Sequence, residues 1–402
     1  MAPRESSSSR AAWASRRVII AAAAAVVLAA AGTATALAAH HSGSSAADKH
    51  AASKVQLAAA ACNGPKGAAY VALPGYQAFD AVNTDNCYLV QQYNVGDGLT
   101  PGTGTEDFNY DSTDEGIAMS GNTLYFADTG NDTVAVIDSA ALQVDNYANP
   151  AETLIHVGYD PENLAVTPDG SQVWVADTGP QTDGPSLGGI SVISAATDTV
   201  TARMHLRTDP RDIAFSPSGA TAYVTSSEGV YVINTATRRV VTVIHGLGDP
   251  EGVAVSPDGK TVYVTNTVQG KVDVISAATN QVTGAIAVGQ MPWQLVLSSD
   301  GSTLYVADGD SNAVSVISTA TGKVTNTISV SGDPVSVALT PDGSQLFVGG
   351  LTSGIVNVFD TSNDSPAGSF NVGYGGYKNA NAGDGEEPTG IVITSTLTPG
   401  GS

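Results

Sequence analysis

From about residue 66 onward the apolar residues of this chain fall into short runs, mostly of three to six positions, separated by turn-forming residues. In one stretch Val253 and Val255 flank the smaller Ala254, and Pro257-Asp258-Gly259 follows. Val262 to Val264 and Val272 to Val274 come next, then Ala277-Ala278-Thr279-Asn280 and a last run from Val282 to Val288. Alternation with a period of two predicts strands. Pro-Asp-Gly predicts a tight turn, with the glycine free to take positive φ. A proline ahead of the first strand removes an N–H where no ladder partner is needed. Four strands in succession, each bounded by turn residues, are therefore the expected unit.

The unit recurs. Pro161, Pro210, Pro292, Pro334 and Pro388 occupy the place of Pro250, with successive spacings of 49, 40, 42, 42 and 54 residues. Repeats of this length built of four strands predict an all-β propeller. Five complete units start near Asp160, Asp209, Asp249, Met291 and Asp333. A sixth starts near Asp114, without the proline. Three further strands are expected near Ala69 to Ala72, Ala78 to Val82 and Tyr88 to Val95, and one at Pro388 to Thr394. Three plus one completes a seventh blade. The expected fold is a seven-bladed β-propeller of four-stranded antiparallel blades over residues 66–400, closed by its two chain ends, which leaves fewer exposed strand edges.

Tyr263-Val264-Thr265-Asn266 spells the YVTN signature, and Tyr223-Val224-Thr225-Ser226 and Tyr305-Val306-Ala307-Asp308 are variants of it. On these residues the chain resembles the YVTN-repeat, YncE-like propellers, including those associated with surface layers. The resemblance implies the fold, but propellers host many unrelated activities.

The N-terminus changes the picture. Arg16 and Arg17 precede an apolar run from Val18 to Ala31, followed by the small residues around Ala36-Leu37-Ala38. This order reads as a signal peptide over residues 1–39, of the Sec or twin-arginine kind, and the run is short for a membrane span. Residues 40–65 read as a flexible linker. The expected destination is outside the cell or in its envelope, with no stable membrane span after signal removal. Cys62 and Cys87 are the two cysteines, and an exported pair of this kind is expected to form one disulfide, stabilising the chain by roughly 3 kcal/mol.

Charge narrows the partners. A formal net charge of −22 repels nucleic acid and anionic polymers. The DNA binding linked to YncE-like relatives is therefore not expected here. No Gly-x-Ser-x-Gly elbow, phosphate-binding loop or basic and aromatic stripe occurs.

Propeller topology places candidate residues. Loops from the fourth strand to the next blade, and from second to third strands, share one face, here called the upper face. The long connections 97–112, 178–188 and 374–386 are all expected there, where function tends to be placed. Inner-strand starts put Glu115, Glu162, Arg211, Glu251 and Trp293 around the mouth, with Val335 and Thr389 at equivalent positions. Tyr110, Tyr374 and Tyr377 lie on or beside the long connections. By analogy at the level of the fold, and with no complete catalytic constellation in the chain, the expected role is a binding scaffold for a protein, peptide or glycan in the envelope or outside the cell, acting as a monomer, with the aromatics available to stack on its ligand. The alternative is a Ca²⁺-dependent hydrolase or lactonase-like enzyme, with Glu115, Glu162, Glu251, Asn266 and Asp308 as ligands. Capping of turns is the competing role for Asp128, Asp177 and Asp308. No histidine is placed at the mouth for acid–base lyase chemistry. The residues leave open whether the protein is an enzyme.

Overall fold

The computed structural model describes residues 68–73, 78–83, 88–94, 116–139, 152–179, 188–371 and 390–394. The chain divides into Met1–Leu57 and Ala58–Ser402, and every described residue belongs to the second unit. The expected signal peptide and linker, Cys62 and Cys87 lie outside the described residues.

The fold is an all-β propeller of four-stranded antiparallel blades. Six blades each use four consecutive strands, spanning residues 117–156, 161–205, 210–244, 250–287, 292–329 and 334–371. They are numbered one to six in that order. A further four-stranded sheet joins the strands Ala68–Leu73, Ala78–Asn83 and Tyr88–Asn94 to Gly390–Thr394 from the other end of the chain. In it Tyr70 pairs with Val392 and Val71 with Ile391. The Gly390–Thr394 strand packs between the inner strands of blades six and one.

Blade four shows how the repeat folds. Its strands are Pro250–Val255, Thr261–Asn266, Lys271–Ser276 and Gln281–Ala287. Gly259 takes φ 70° in the turn between the first two. Asp258 accepts the Ser256 hydroxyl at 2.6 Å and the Lys260 N–H at 3.0 Å, which locks that turn. Asn280 takes φ 54° before the outer strand, a conformation Asn tolerates better than most residues.

Burial follows position in the blade. From its second residue on, the second strand is buried in blades one to five, and its four core residues Val262, Tyr263, Val264 and Thr265 are at most 6 % exposed. Both faces are covered by neighbouring blades, so these strands read as nearly continuous apolar runs. The outer strand Gln281–Ala287 is exposed at all but Ile286. Packing runs from blade to blade. Trp174, Ile190 and Val192 of blade two meet Ile213, Val224 and Ile233 of blade three in one cluster. The Trp174 ring stands edge-on to Phe215, with centroids 5.4 Å apart. Each such side chain contributes roughly 1.5–3 kcal/mol relative to exposure. Hydroxyls add bonds across the neighbouring seams: Thr129 donates to the Pro161 carbonyl at 2.7 Å and Thr225 to the Glu251 carbonyl at 2.5 Å.

Register fixes which strand ends share a face. Pro161 pairs with Asp177, Asp177 with Gly189, and Gly189 with His205. The strand ends flanking 95–115, 180–187 and 372–389 therefore lie on the upper face. A fourth long connection, 139–151, was not anticipated as irregular. It joins the third and outer strands of blade one, where Ile137 pairs with Glu152, so its strand ends lie on the opposite face.

Candidate functional site

The inner strands converge on the channel, and their second and third residues line one cavity at its mouth. Glu162, Arg211, Glu251, Trp293 and Val335 contribute from successive blades, with Asn163, Asp212, Gly252 and Gln294 beside them. The enclosed room is about 30 Å³, the scale of a water molecule, so a larger ligand would sit above it. Packing of the inner strands explains the small size. A Cβ on Gly252 would stand 2.8 Å from the Trp293 carbonyl oxygen.

Arg211 organises the mouth. Only 6 % exposed, it donates from Nη1 to Asp249 at 2.8 Å and to Glu251, and from Nη2 to Asp209 at 3.3 Å. These carboxylates come from its own blade and the next, so the guanidinium bridges a seam. They hold its pKa above the ordinary arginine value against the opposing effect of burial, with Glu251 contributing most. Its Nε is buried without a hydrogen-bond partner. Glu162 accepts the Thr178 hydroxyl at 2.6 Å.

Asp212 was not singled out from the sequence. Its Oδ1 accepts Asn163 Nδ2 at 3.1 Å and the Ile213 N–H at 2.8 Å, and its Oδ2 accepts the Val253 N–H at 2.9 Å. One carboxylate thus ties three consecutive inner strands. Burial pushes its pKa up to about 6, against the lowering effect of the backbone N–H bonds. A signal was present: Asp212 follows the mouth residue Arg211 directly, on a strand whose third position faces the neighbouring blade.

The strand-end acids go elsewhere. Asp177 accepts the Gly158 N–H at 3.0 Å and the Ser191 hydroxyl at 2.6 Å, inside its own blade and its entry turn. Burial pushes it up to about 7. Asp308 accepts the Ser315 hydroxyl at 2.6 Å and is pushed up to about 6 by burial. Asn266 donates to Asp273 at 3.0 Å, and Asp273 meets Lys271 at 2.8 Å. Asn266 and Asp308 are thus engaged within their blades, each with a polar residue of the third strand. Among the described residues no group of three His, Cys, Asp or Glu side chains is arranged to hold a metal ion. Glu115, Thr389, Tyr110, Tyr374 and Tyr377 lie outside the described residues. Among the described residues no helix is long and apolar enough to cross a membrane.

The fold and its mouth define a β-propeller whose channel mouth gathers carboxylates around one buried arginine. The chain belongs to the YNCE-like beta-propeller family, whose model matches residues 185–389. A second model, the choice-of-anchor I domain, matches residues 60–267. No curated protein matches. Among solved structures, the chain is similar to Kuenenia stuttgartiensis hydrazine synthase, at 25 % identity and a TM-score of 0.53 over 62 % of this chain and 77 % of that one. A functionally unknown protein from Desulfotomaculum acetoxidans DSM 771 aligns at 17 % identity and a TM-score of 0.61, over 81 % and 98 %. A putative 6-phosphogluconolactonase from Bacteroides fragilis NCTC 9343 aligns at 13 % identity and 0.60, over 83 % and 99 %. The last two likenesses carry the fold alone.

Proposed function

We propose that this protein is a secreted or cell-surface binding scaffold whose upper face engages its partner around the channel mouth. The observation that carries this reading is the convergence of Glu162, Glu251 and Trp293 on one cavity around Arg211. Charge supports a cationic or polar partner: Asp209, Asp249 and Glu251 outnumber the single arginine they surround. A tryptophan beside carboxylates is a common way to hold such a group. The choice-of-anchor match and the export-like N-terminus support the location. We further read the sheet built from the two chain ends as a seventh blade that closes the ring.

A Ca²⁺-dependent hydrolase would need several carboxylates directed at one point. Here the guanidinium of Arg211 stands among the carboxylates of the mouth, which weighs for the scaffold. The experiment is a capture assay from envelope extract with wild type, Trp293→Ala and Glu162→Gln. Both variants are expected to lose a partner that wild type retains. Equal capture by all three would overturn the reading. A melting temperature raised by millimolar Ca²⁺ and restored by chelator would instead favour the enzyme.

A further inference from the structure

Blade three departs from the repeat at one corner, where its two turns meet on the face opposite the channel mouth. The residue before the outer strand takes positive φ. It is Asp198, Asn280, Gly322 and Asp364 in blades two, four, five and six, at φ of 49°, 54°, 59° and 55°. Blade three has Arg238 there at φ 54°, a conformation that a long side chain adopts only at a cost. Arg239 follows it and is exposed. The turn between first and second strands carries Asp169, Asp258, Asp300 and Asp342 in those other blades, and Ser218 in blade three. The Thr235 hydroxyl donates to the Gly219 carbonyl at 2.6 Å, so the turn that lacks the acid touches the turn that ends in the arginines. Among the described residues neither arginine makes an ion pair. In a chain of net charge −22, these two turns hold two cations and no acid.

The strand that leaves this corner also differs from its equivalents. Arg239–Ile244 is the outermost of its sheet, so its far edge pairs with no strand among the described residues. Each outer strand of blades two to six bulges near its start. In blades two, four and five the bulged residue is Thr201, Thr283 or Thr325. Its hydroxyl donates back to the third strand, to the carbonyl of Val192, Val274 or Val316, at 3.2, 3.2 and 3.1 Å. Blade three has Val241 at the bulge, 62 % exposed, beside Val240 at 42 %. The other outer strands are interrupted by Arg203, by Gly284, by Asn326, or by Pro366 and Gly368, residue types that discourage a further strand. From Val240 to Ile244 blade three is β-branched throughout.

These departures converge on one kind of occupant. An open edge offers N–H and C=O groups that a second extended backbone satisfies. The exposed valines give that backbone's side chains something apolar to pack on, and the arginines at one end ask for carboxylates. Nucleic acid would bring the charge but no strand. A second copy of this strand does not fit: antiparallel, its Arg239 falls beside Ile244 and not an acid, and parallel, cation faces cation. We propose that the outer edge of blade three receives an extended acidic segment of a partner protein as a fifth strand, its carboxylates against Arg238 and Arg239. The site lies on the rim, away from the channel mouth, and does not rest on the function proposed for the mouth.

Titration of the full chain with three capped peptides tests the assignment, at about 0.15 M salt so that the distant acids of the chain are screened. The probes are Glu-Glu-Val-Thr-Val-Thr-Glu-Glu, the same peptide with lysine for every glutamate, and the same peptide with proline for every threonine. The first is expected to bind and to slow hydrogen exchange across residues 239–244. The lysine peptide lacks the charge and the proline peptide lacks strand N–H groups, so neither should bind. Arg238→Asp with Arg239→Ser gives blade three the pair that blade six carries as Asp364 and Ser365. It is expected to weaken binding about tenfold, as two exposed charge pairs of up to about fivefold each are lost. It should melt no lower than wild type, because Asp tolerates positive φ better than Arg. Absence of binding of the first peptide at about 5 mM, in the millimolar range of weak complexes, would overturn the proposal. So would equal binding of either control, undiminished binding by the variant, or protection confined to residues outside 239–244. A dimer of the chain alone that the variant abolishes would assign the edge to a second copy and overturn it too.

Discussion

Arg211 is the residue on which the mouth depends. A guanidinium only 6 % exposed is tolerable because Asp249, Glu251 and Asp209 surround it, and those acids are tolerable because it is there. Replacing the cation strands three carboxylates. Arg211→Met is expected to cost about 2–3 kcal/mol at neutral pH, below the range for fully buried pairs because the acids keep some contact with water. Denaturant unfolding of the variant measures this. An undiminished stability at pH 7 would show the cluster to be energetically idle.

At the scale of the element, the turn between first and second strands is set by a single carboxylate. Asp169, Asp258 and Asp300 each accept a hydroxyl from two residues before and an N–H from two residues after, and these bonds lower their pKa to about 2. Asp342 makes the same contacts with Thr340 and Ser344. Blade three departs from the pattern. Ser218 occupies the position, and its hydroxyl lies 3.4 Å from the Ala220 N–H. Ser218→Asp supplies the acceptor that the turns of blades two, four, five and six use. Its expected effect is a rise in melting temperature of about 1–2 °C at neutral pH, absent near pH 2. Calorimetric scans at the two pH values separate this from a general charge effect.

Across the whole molecule the titrating groups act in opposite directions. Asp177, raised to about 7, and Asp212 and Asp308, raised to about 6, bind more protons in the folded state than in the unfolded one. Their stabilising contribution is complete below about pH 4 and is lost as pH rises through about 6 to 7. The turn aspartates do the reverse: theirs is present above about pH 4 and lost as pH falls through about 2. The melting temperature is therefore expected to peak near pH 4 and to fall towards pH 8. Asp177→Asn should flatten that fall and raise stability at pH 8, since Asn266 already fills the equivalent place in blade four. A steeper fall in the variant would contradict the assignment. Removing residues 386–402 deletes the strand that pairs with Ala68–Leu73 and packs against blades one and six. The expected result is a melting temperature lower by roughly 10 °C or more.

Much of this architecture was legible in the chain itself. Pro250, the Pro257-Asp258-Gly259 turn and the valine alternation act locally, through φ restriction, hydrogen-bonded turns and side-chain direction, so they mark strands and period without a three-dimensional context. The same period placed Glu162, Arg211, Glu251 and Trp293 at one mouth, because register in a repeat is periodic too. What each of those residues does there was decided only by the packed molecule. Arg211 reads in the chain as the one arginine of an acidic ring, and in space it is bound by acids from two blades. Asn266 and Asp308 read as ligands only in the alternative reading, with turn capping the competing role of Asp308, and in space each bonds a polar residue of its own third strand. The role of Asp212 arises from contacts across two seams, with Asn163 49 positions before it and Val253 41 positions after it. Such contacts depend on which side chains meet after the blades close together, and no local rule of the sequence carries that information.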